Sequence, residues 1–181
     1  MSLKNTFAEG IHMDFHGKAA LITGASRGIG LATALNLARG GASVALVDLN
    51  EEGLQAAKAQ LQALGARVLA YRCDVSDEAR VQAVCADAEE KLGKIDILVN
   101  NAGVYRAHCM PFAESESAFW RDKIEVNILG TMYFTRALLP GMLKRRYGRI
   151  INLASVAGVY GIANMADYSM TKGAIIGFTH A

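Results

Sequence analysis

Cysteine is scarce in this chain and nowhere paired. Cys73, Cys85 and Cys109 are an odd set with no CxxC spacing, so neither a disulfide framework nor a zinc knuckle is expected, and reduced thiols fit a cytoplasmic setting. Histidines are also few. His12, His16, His108 and His180 lack metal-ligand spacing and read as surface or loop residues, so no metal site is expected. An excess of one charge is missing too: 19 Lys and Arg face 17 Asp and Glu, a net charge of +2 with a pI near 8.5. That balance does not point to nucleic acid or a membrane surface as partner. The basic cluster Lys144, Arg145, Arg146 and Arg149 falls at the end of a helical segment, where cations complement the dipole, and no aromatic stacking platform accompanies it. There is no long hydrophobic run, since the most apolar stretch, residues 126–143, is interrupted by Asn127, Arg136 and Pro140 and falls short of a membrane span. The start of the chain has neither the basic segment nor the apolar core of a signal peptide, which gives no reason to expect export. His12-Met13 is what a common cloning junction encodes, so residues 1–12 are expected to be a vector-derived or disordered extension ahead of a domain over residues 13–181.

What is present is apolar and periodic. With 181 residues, 52% of them hydrophobic, the chain can close one sizeable core, and a single domain is expected. Short runs rich in Val, Ile, Leu and Ala at residues 19–23, 44–47, 68–71, 95–99 and 149–153 predict buried strands. Between them lie helical patterns over residues 29–39, 51–64, 78–92 and 117–145, and a last helix starts near Asp167. Strands alternating with helices of this length imply βαβ units, hence an α/β fold with a doubly wound parallel sheet of the Rossmann type. The sequence stops in the middle of a helical pattern with five strands visible, against at least six in a full dinucleotide fold, so the fold is expected to lack its C-terminal part.

The segment from Thr23 through Gly24, Ala25, Ser26, Arg27, Gly28 and Ile29 to Gly30 directly follows the first strand and opens the first helix. Glycines there allow a tight turn and a close backbone approach to a pyrophosphate, and the helix start supplies free N–H groups and positive potential. A glycine-rich turn without a ligand is the competing reading. The second strand ends in Asp48, about 20 residues on, followed by Leu49; an acid there can accept from adenosine ribose hydroxyls, or simply cap a helix. Asp48 would repel a 2′-phosphate and so favours NAD(H), while Arg27 could pair with that phosphate and keeps NADP(H) open. Asp74 and Val75 after the third strand, and Asn101, Ala102 and Gly103 after the fourth, fall where an open parallel sheet binds ligands, although Asp74 and Asn101 also suit plain turns.

With TGASRGIG at residues 23–30 and NNAG at residues 100–103, the chain resembles the short-chain dehydrogenase/reductase family. Asn127, Ser155 and the YxxxK formed by Tyr168 and Lys172 follow in the family's order, with Ser155 thirteen residues before Tyr168. The resemblance implies an oxidoreductase that moves hydride between a nicotinamide and an alcohol or ketone substrate. Tyr168 would be the general acid/base, and Lys172 would favour its phenolate while holding the nicotinamide ribose together with Tyr168. Ser155 would steady the substrate oxygen, and Asn127 would hold a water in a proton relay. Ser155 as a turn cap and Asn127 as a solvent-facing helix residue are the plainer alternatives. Rival functions are an NADPH-dependent 3-oxoacyl thioester reductase and a dinucleotide-binding protein without turnover. The family also implies a homotetramer or dimer through the two long helices, with Ile128, Met132 and Leu139 as interface candidates, although all three could equally be core.

Overall fold

Five apolar runs become parallel strands: β1 (Ala19–Thr23), β2 (Ser43–Asp48), β3 (Val68–Arg72), β4 (Ile97–Asn100) and β5 (Arg149–Asn152). The computed structural model describes residues 14–105 and 110–181. The expected extension over residues 1–12, with its His12, and the residues His108 and Cys109 lie outside the described residues. The strand order is β3-β2-β1-β4-β5, all parallel. Such an order reverses direction between β1 and β4, and the reversal opens a crevice at the carboxyl ends of those strands. This is the doubly wound, Rossmann-type sheet that the strand and helix pattern predicts.

The alternation of side chains along each strand sorts the core into two layers. Ala19 and Leu21 of β1, with Ala45 and Val47 of β2, face one side and pack beneath α3 (Glu78–Leu92) and α5 (Gly130–Arg145) through Val81, Val84, Phe134 and Leu138. Ala20, Ile22, Val44 and Leu46 face the other side and pack beneath α1 (Gly28–Arg39) and α2 (Glu51–Ala63) through Ala34, Leu37, Leu54 and Leu61. Leu21, Ile22, Leu46 and Leu98 are fully buried, and each contributes about 1.5–3 kcal/mol by leaving water. Burial on both faces holds for β1, β2 and β4 but not for β3 and β5, which form the edges of the sheet and are only partly covered.

Two helix starts are set by their caps. Asn50 Oδ1 accepts from Gly53 N at 3.1 Å, and Asp77 Oδ1 accepts from Arg80 N at 3.0 Å; each satisfies a donor that a helix start leaves without an intrahelical partner. The region expected as one helix over residues 117–145 departs from that expectation. It comprises α4 (Ser117–Lys123), a π-helical turn at Ile124–Leu129, and then α5. A π turn carries one extra residue in a helix that otherwise runs on, so hydrophobic periodicity alone does not reveal it. A second difference is α6 (Ala157–Tyr160), a single helical turn within the expected loop; the last helix, α7 (Ala166–His180), follows. Two members of the basic cluster are engaged in local structure: Arg145 Nη2 donates to Ile95 O at 2.7 Å, and Arg149 lies 5.2 Å from the Tyr147 ring centroid, which Lys18 also approaches at 4.0 Å. No described helix is long and apolar enough to cross a membrane.

Candidate functional site

The crevice at the carboxyl ends of β1 and β4 is a cleft of about 530 Å³. Gly24, Arg27, Gly28, Ile29, Asp48, Leu49, Asp74, Val75, Asn101, Ala102 and Gly103, all singled out in the sequence, line it together with Cys73, Val104, Asp122 and Val126. Gly24 and Gly28 have φ of +64° and +57°, a region where a side chain is strained. At Gly24 an added Cβ would also lie 2.7 Å from Asn101 Nδ2, and at Gly30 it would lie 2.2 Å from the backbone oxygen of Gly24. Nothing approaches the equivalent point at Gly28 within 4 Å, so there the missing side chain leaves open space at the start of α1, as a bound phosphate requires. Ile29 and Leu49, 65% and 58% exposed at the rim, give apolar flanks suited to a base. The residues present therefore fit a dinucleotide. Ser26 and Gly30 do not line the cleft; they shape it from behind.

The turn is tied down by side chains. Asp48 Oδ2 accepts from Ser26 N at 2.9 Å and its Oδ1 accepts from Asn50 N at 3.0 Å, so the acid is fixed against the glycine turn while Asn50 does the helix capping. Asn101 Nδ2 donates to Thr23 O at 2.9 Å and Gly24 O at 3.0 Å. The Thr23 hydroxyl accepts from the backbone N–H groups of Asn101 and Ala102 at 3.0 and 2.9 Å. Thr23 is a residue that reading the turn for its glycines overlooks, although a hydroxyl at the end of a fully buried strand is a visible signal. Asp74 behaves as the plainer reading holds: its Oδ1 accepts from Ser76 N and Ser76 Oγ at 2.9 and 2.7 Å, closing a turn before α3. Burial pushes the Cys73 thiol up to about 11.

Beyond the nucleotide cleft, Asn127, Thr171 and Lys172 are buried together. Asn127 leaves the π turn, accepts from Val104 N at 2.8 Å, and donates to Val104 O at 3.2 Å and Thr171 Oγ1 at 3.1 Å. Thr171 Oγ1 in turn donates to Tyr168 O at 2.9 Å. Asn127 thus faces inward, against the reading of a solvent-facing helix residue. Lys172 Nζ donates to Leu153 O at 2.6 Å and lies 5.9 Å from the Tyr168 ring centroid; burial holds its pKa below the ordinary lysine value. Ser155 precedes α6, and its Oγ accepts from Ala157 N at 3.2 Å, so it does act as a turn cap. The segment reaches α7 because both sides are glycine: a Cβ on Gly158 would lie 2.4 Å from the Lys172 carbonyl carbon, and one on Gly173 would lie 3.3 Å from Gly158 O. Tyr105 packs edge-on against Tyr168, with centroids 5.1 Å apart at 80°. A half-buried phenol beside a buried lysine, with a nucleotide cleft adjoining, is an arrangement suited to proton transfer next to a bound dinucleotide.

Comparison with known proteins agrees with this geometry. The family model described as short chain dehydrogenase matches residues 18–181. A 3-oxoacyl-[acyl-carrier-protein] reductase of Escherichia coli (strain K12) is 40% identical over 167 residues, 92% of this chain and 66% of the reductase. A 2-dehydro-3-deoxy-L-rhamnonate dehydrogenase (NAD(+)) of Sphingomonas sp. (strain SKA58) is 40% identical over 165 residues, 91% of this chain and 64% of that protein. The crystal structure of an NAD+-bound xylitol dehydrogenase superposes with a TM-score of 0.88 at 42% identity, covering 91% of this chain and 63% of that one. The chain spans about two thirds of the length of the curated relatives it matches.

Proposed function

Since the chain belongs to the short-chain dehydrogenase family, we propose that it binds NAD(H) in the cleft and interconverts an alcohol and a ketone, with Tyr168 as general acid/base. The observation that carries this reading is Tyr168 tied to Asn127 through Thr171, with Lys172 Nζ 5.9 Å from its ring, next to a glycine-turned cleft. Gly24, Ser26, Arg27, Gly28, Ile29 and Gly30 would hold the diphosphate, Asp48 and Leu49 the adenosine ribose, and Asp74, Val75, Asn101, Ala102 and Gly103 the adenine and the cleft wall. Tyr168 and Lys172 would reach the nicotinamide ribose. When bound, the nicotinamide supplies the hydride acceptor or donor.

In the oxidative direction the Tyr168 phenolate takes the proton of the substrate hydroxyl as hydride leaves the carbinol carbon; in reduction the phenol returns the proton to the carbonyl oxygen. Lys172, with its Nζ 5.9 Å from the Tyr168 ring centroid, lies beside the phenol that exchanges the proton. Ser155 steadies the substrate oxygen as charge develops on it. Asn127 secures Val104 and Thr171, and so the turn of α7 that carries Tyr168, and would hold a water that continues a proton relay from Lys172. The preference for NAD(H) over NADP(H) rests on Asp48: both of its carboxylate oxygens accept backbone N–H groups, which fixes the side chain at the glycine turn, where an acid would disfavour a 2′-phosphate.

An NADPH-dependent reduction of a 3-oxoacyl thioester is the second reading, favoured by the exposed Arg27 at the cleft and by the activity named for the Escherichia coli relative. Fluorescence titration with NADH and NADPH separates the two readings: at least about tenfold tighter binding of NADH, or 1.4 kcal/mol, is expected, and the reverse order would favour the second. Replacing Tyr168 by Phe lowers kcat by about 10²–10⁴-fold while leaving the NADH dissociation constant within about twofold. Turnover retained in that variant would remove Tyr168 from the mechanism, and a protein that binds NADH but turns over no alcohol or ketone would be a dinucleotide-binding protein. We further propose a cytoplasmic homo-oligomer in which Met132 and Leu139, 41% and 37% exposed on α5, meet a second copy; sedimentation tests this.

A further inference from the structure

Lys123 is one of the largest fully buried side chains among the described residues. Its side chain is 2% exposed and ion-paired with the Asp167 carboxylate, itself 13% exposed. Nothing in the hydride and proton transfer proposed above uses either charge. Stability alone is a poor reason for the pair, because desolvating two charges offsets most of their attraction and an apolar pair of similar volume would fill the same joint. What a buried ion pair imposes and an apolar contact does not is one relative orientation of the groups that make it.

The surroundings show which orientation is at stake. Lys123 is the last residue of α4, directly before the π turn that holds Asn127. Asp167 lies in the first turn of α7, and while its Oδ2 takes the Lys123 ammonium its Oδ1 accepts from Tyr168 N at 2.7 Å. From Tyr168 the chain of bonds continues: Tyr168 O accepts from Thr171 Oγ1, which accepts from Asn127 Nδ2. Asn127 returns along four residues of backbone to Lys123. The path is a closed ring that passes through both helices, and the ion pair is its only link between charged side chains.

The geometry points to Lys123 and Asp167 as positioning residues that lock the α7 turn bearing Tyr168 against the π turn bearing Asn127. This inference rests on the reading of Tyr168 as the acid/base. Without the pair the helices still pack through Asn127 and Thr171 at one end of the ring, but the turn at Tyr168 loses its charged tie to α4. A displacement of about 1 Å in a reacting group can lower a rate by about 100-fold.

The test uses the full-length protein, with Lys123→Met, Asp167→Asn and the double variant. Four quantities are compared: kcat and KM for an alcohol substrate, NADH affinity by fluorescence, melting temperature, and hydrogen exchange of the peptide covering residues 166–172. The single variants melt earlier because one buried charge is left without its partner, and the double variant recovers the melting temperature. In that recovered double variant kcat stays lower than wild type by about tenfold or more, NADH affinity stays within about twofold, and exchange in residues 166–172 is several-fold faster. Recovery of kcat along with the melting temperature would overturn the inference, as would unchanged exchange in that peptide. Should a single variant fail to fold, the neutral double variant carries the test. If Tyr168→Phe abolishes turnover while the double variant keeps it, the positioning role falls and the acid/base reading stands. If Tyr168→Phe keeps turnover, the acid/base reading falls, and the exchange result still decides whether the pair locks the turn.

Discussion

Between β1 and α1 the chain lines its cleft with backbone, whereas around Tyr168 it brings together side chains from separate segments. At the glycine turn three of the functional positions have no side chain, and two of those, Gly24 and Gly30, have none because neighbouring atoms leave no room. The geometry there is set within one βα unit and braced from β4 by Asn101. Around Tyr168 the π turn contributes Asn127, and α7 contributes Tyr168, Thr171 and Lys172, held together by polar contacts such as those of Thr171 with Asn127 and with Tyr168 O. At Gly24 and Gly30 the backbone site tolerates almost no added volume, and its braces from outside the unit are strand-end residues, Asp48 and Asn101. A side-chain site tolerates volume at its edges but fails when a remote bracing contact is lost.

The sharpest way to break that contrast is to add volume at the turn. Gly30→Val places a Cβ about where the Gly24 carbonyl sits, a clash with backbone that no side-chain rotation relieves. We expect loss of about 100-fold in NADH affinity, equal to about 2.7 kcal/mol, and a stability loss of about 1–3 kcal/mol from overpacking, measured by fluorescence titration and thermal melting. Unchanged NADH binding would mean that the turn gives way and that the backbone description of the cleft is wrong.

A smaller effect sharpens the other half of the comparison. Asn127→Ala removes no volume from the nucleotide cleft, but it leaves both polar backbone groups of Val104 without their partner. Each orphaned group costs about 1–3 kcal/mol. Because the contact braces Thr171 and hence Tyr168, kcat should fall by about tenfold or more, with NADH affinity within about twofold. Equal losses in kcat and in affinity would show that the two regions are one mechanical unit and not two.

The same contrast explains what could be read in advance. The glycine turn, the strands and Asp48 were legible because their signals are local: a turn needs glycine where φ is positive, and a buried strand needs consecutive apolar residues. Whether Asp48 faces the cleft or caps α2 was not legible, since both tasks suit an acid at a strand end; the structure gives the cap to Asn50. The π turn escaped because its apolar spacing continues that of the flanking helix. Spacing alone does not distinguish Asn127 from a solvent-facing helix asparagine, and its role is implied there only by the family resemblance; its contacts to Val104 and Thr171 are visible only in the fold. Lys123 and Asp167 are 44 residues apart, and a lysine in a segment that also holds Arg121, Asp122 and Glu125 reads as solvated until the fold buries it.

The smallest expected effect separates the two regions by the direction in which each titrates. Burial disfavours the charged form in both, but the charged form of a thiol is the deprotonated one and that of a lysine the protonated one. Cys73 in the cleft wall is raised from 9.0 to about 11, chiefly by desolvation. Between those values the unfolded chain loses this proton and the folded chain keeps it. The contribution is thus fully present below about pH 9 and disappears as pH rises to about 11. Lys172 is lowered from 10.5 by desolvation, so the folded chain sheds this proton first and stability rises with pH up to the ordinary lysine range. Thermal melts from pH 8 to 11 should therefore show Cys73→Ala losing stability less steeply than wild type, and Lys172→Met losing it more steeply. The signs, not the sizes, carry the test: slopes that change in the same direction in both variants would mean that burial does not shift at least one of these groups in the direction given.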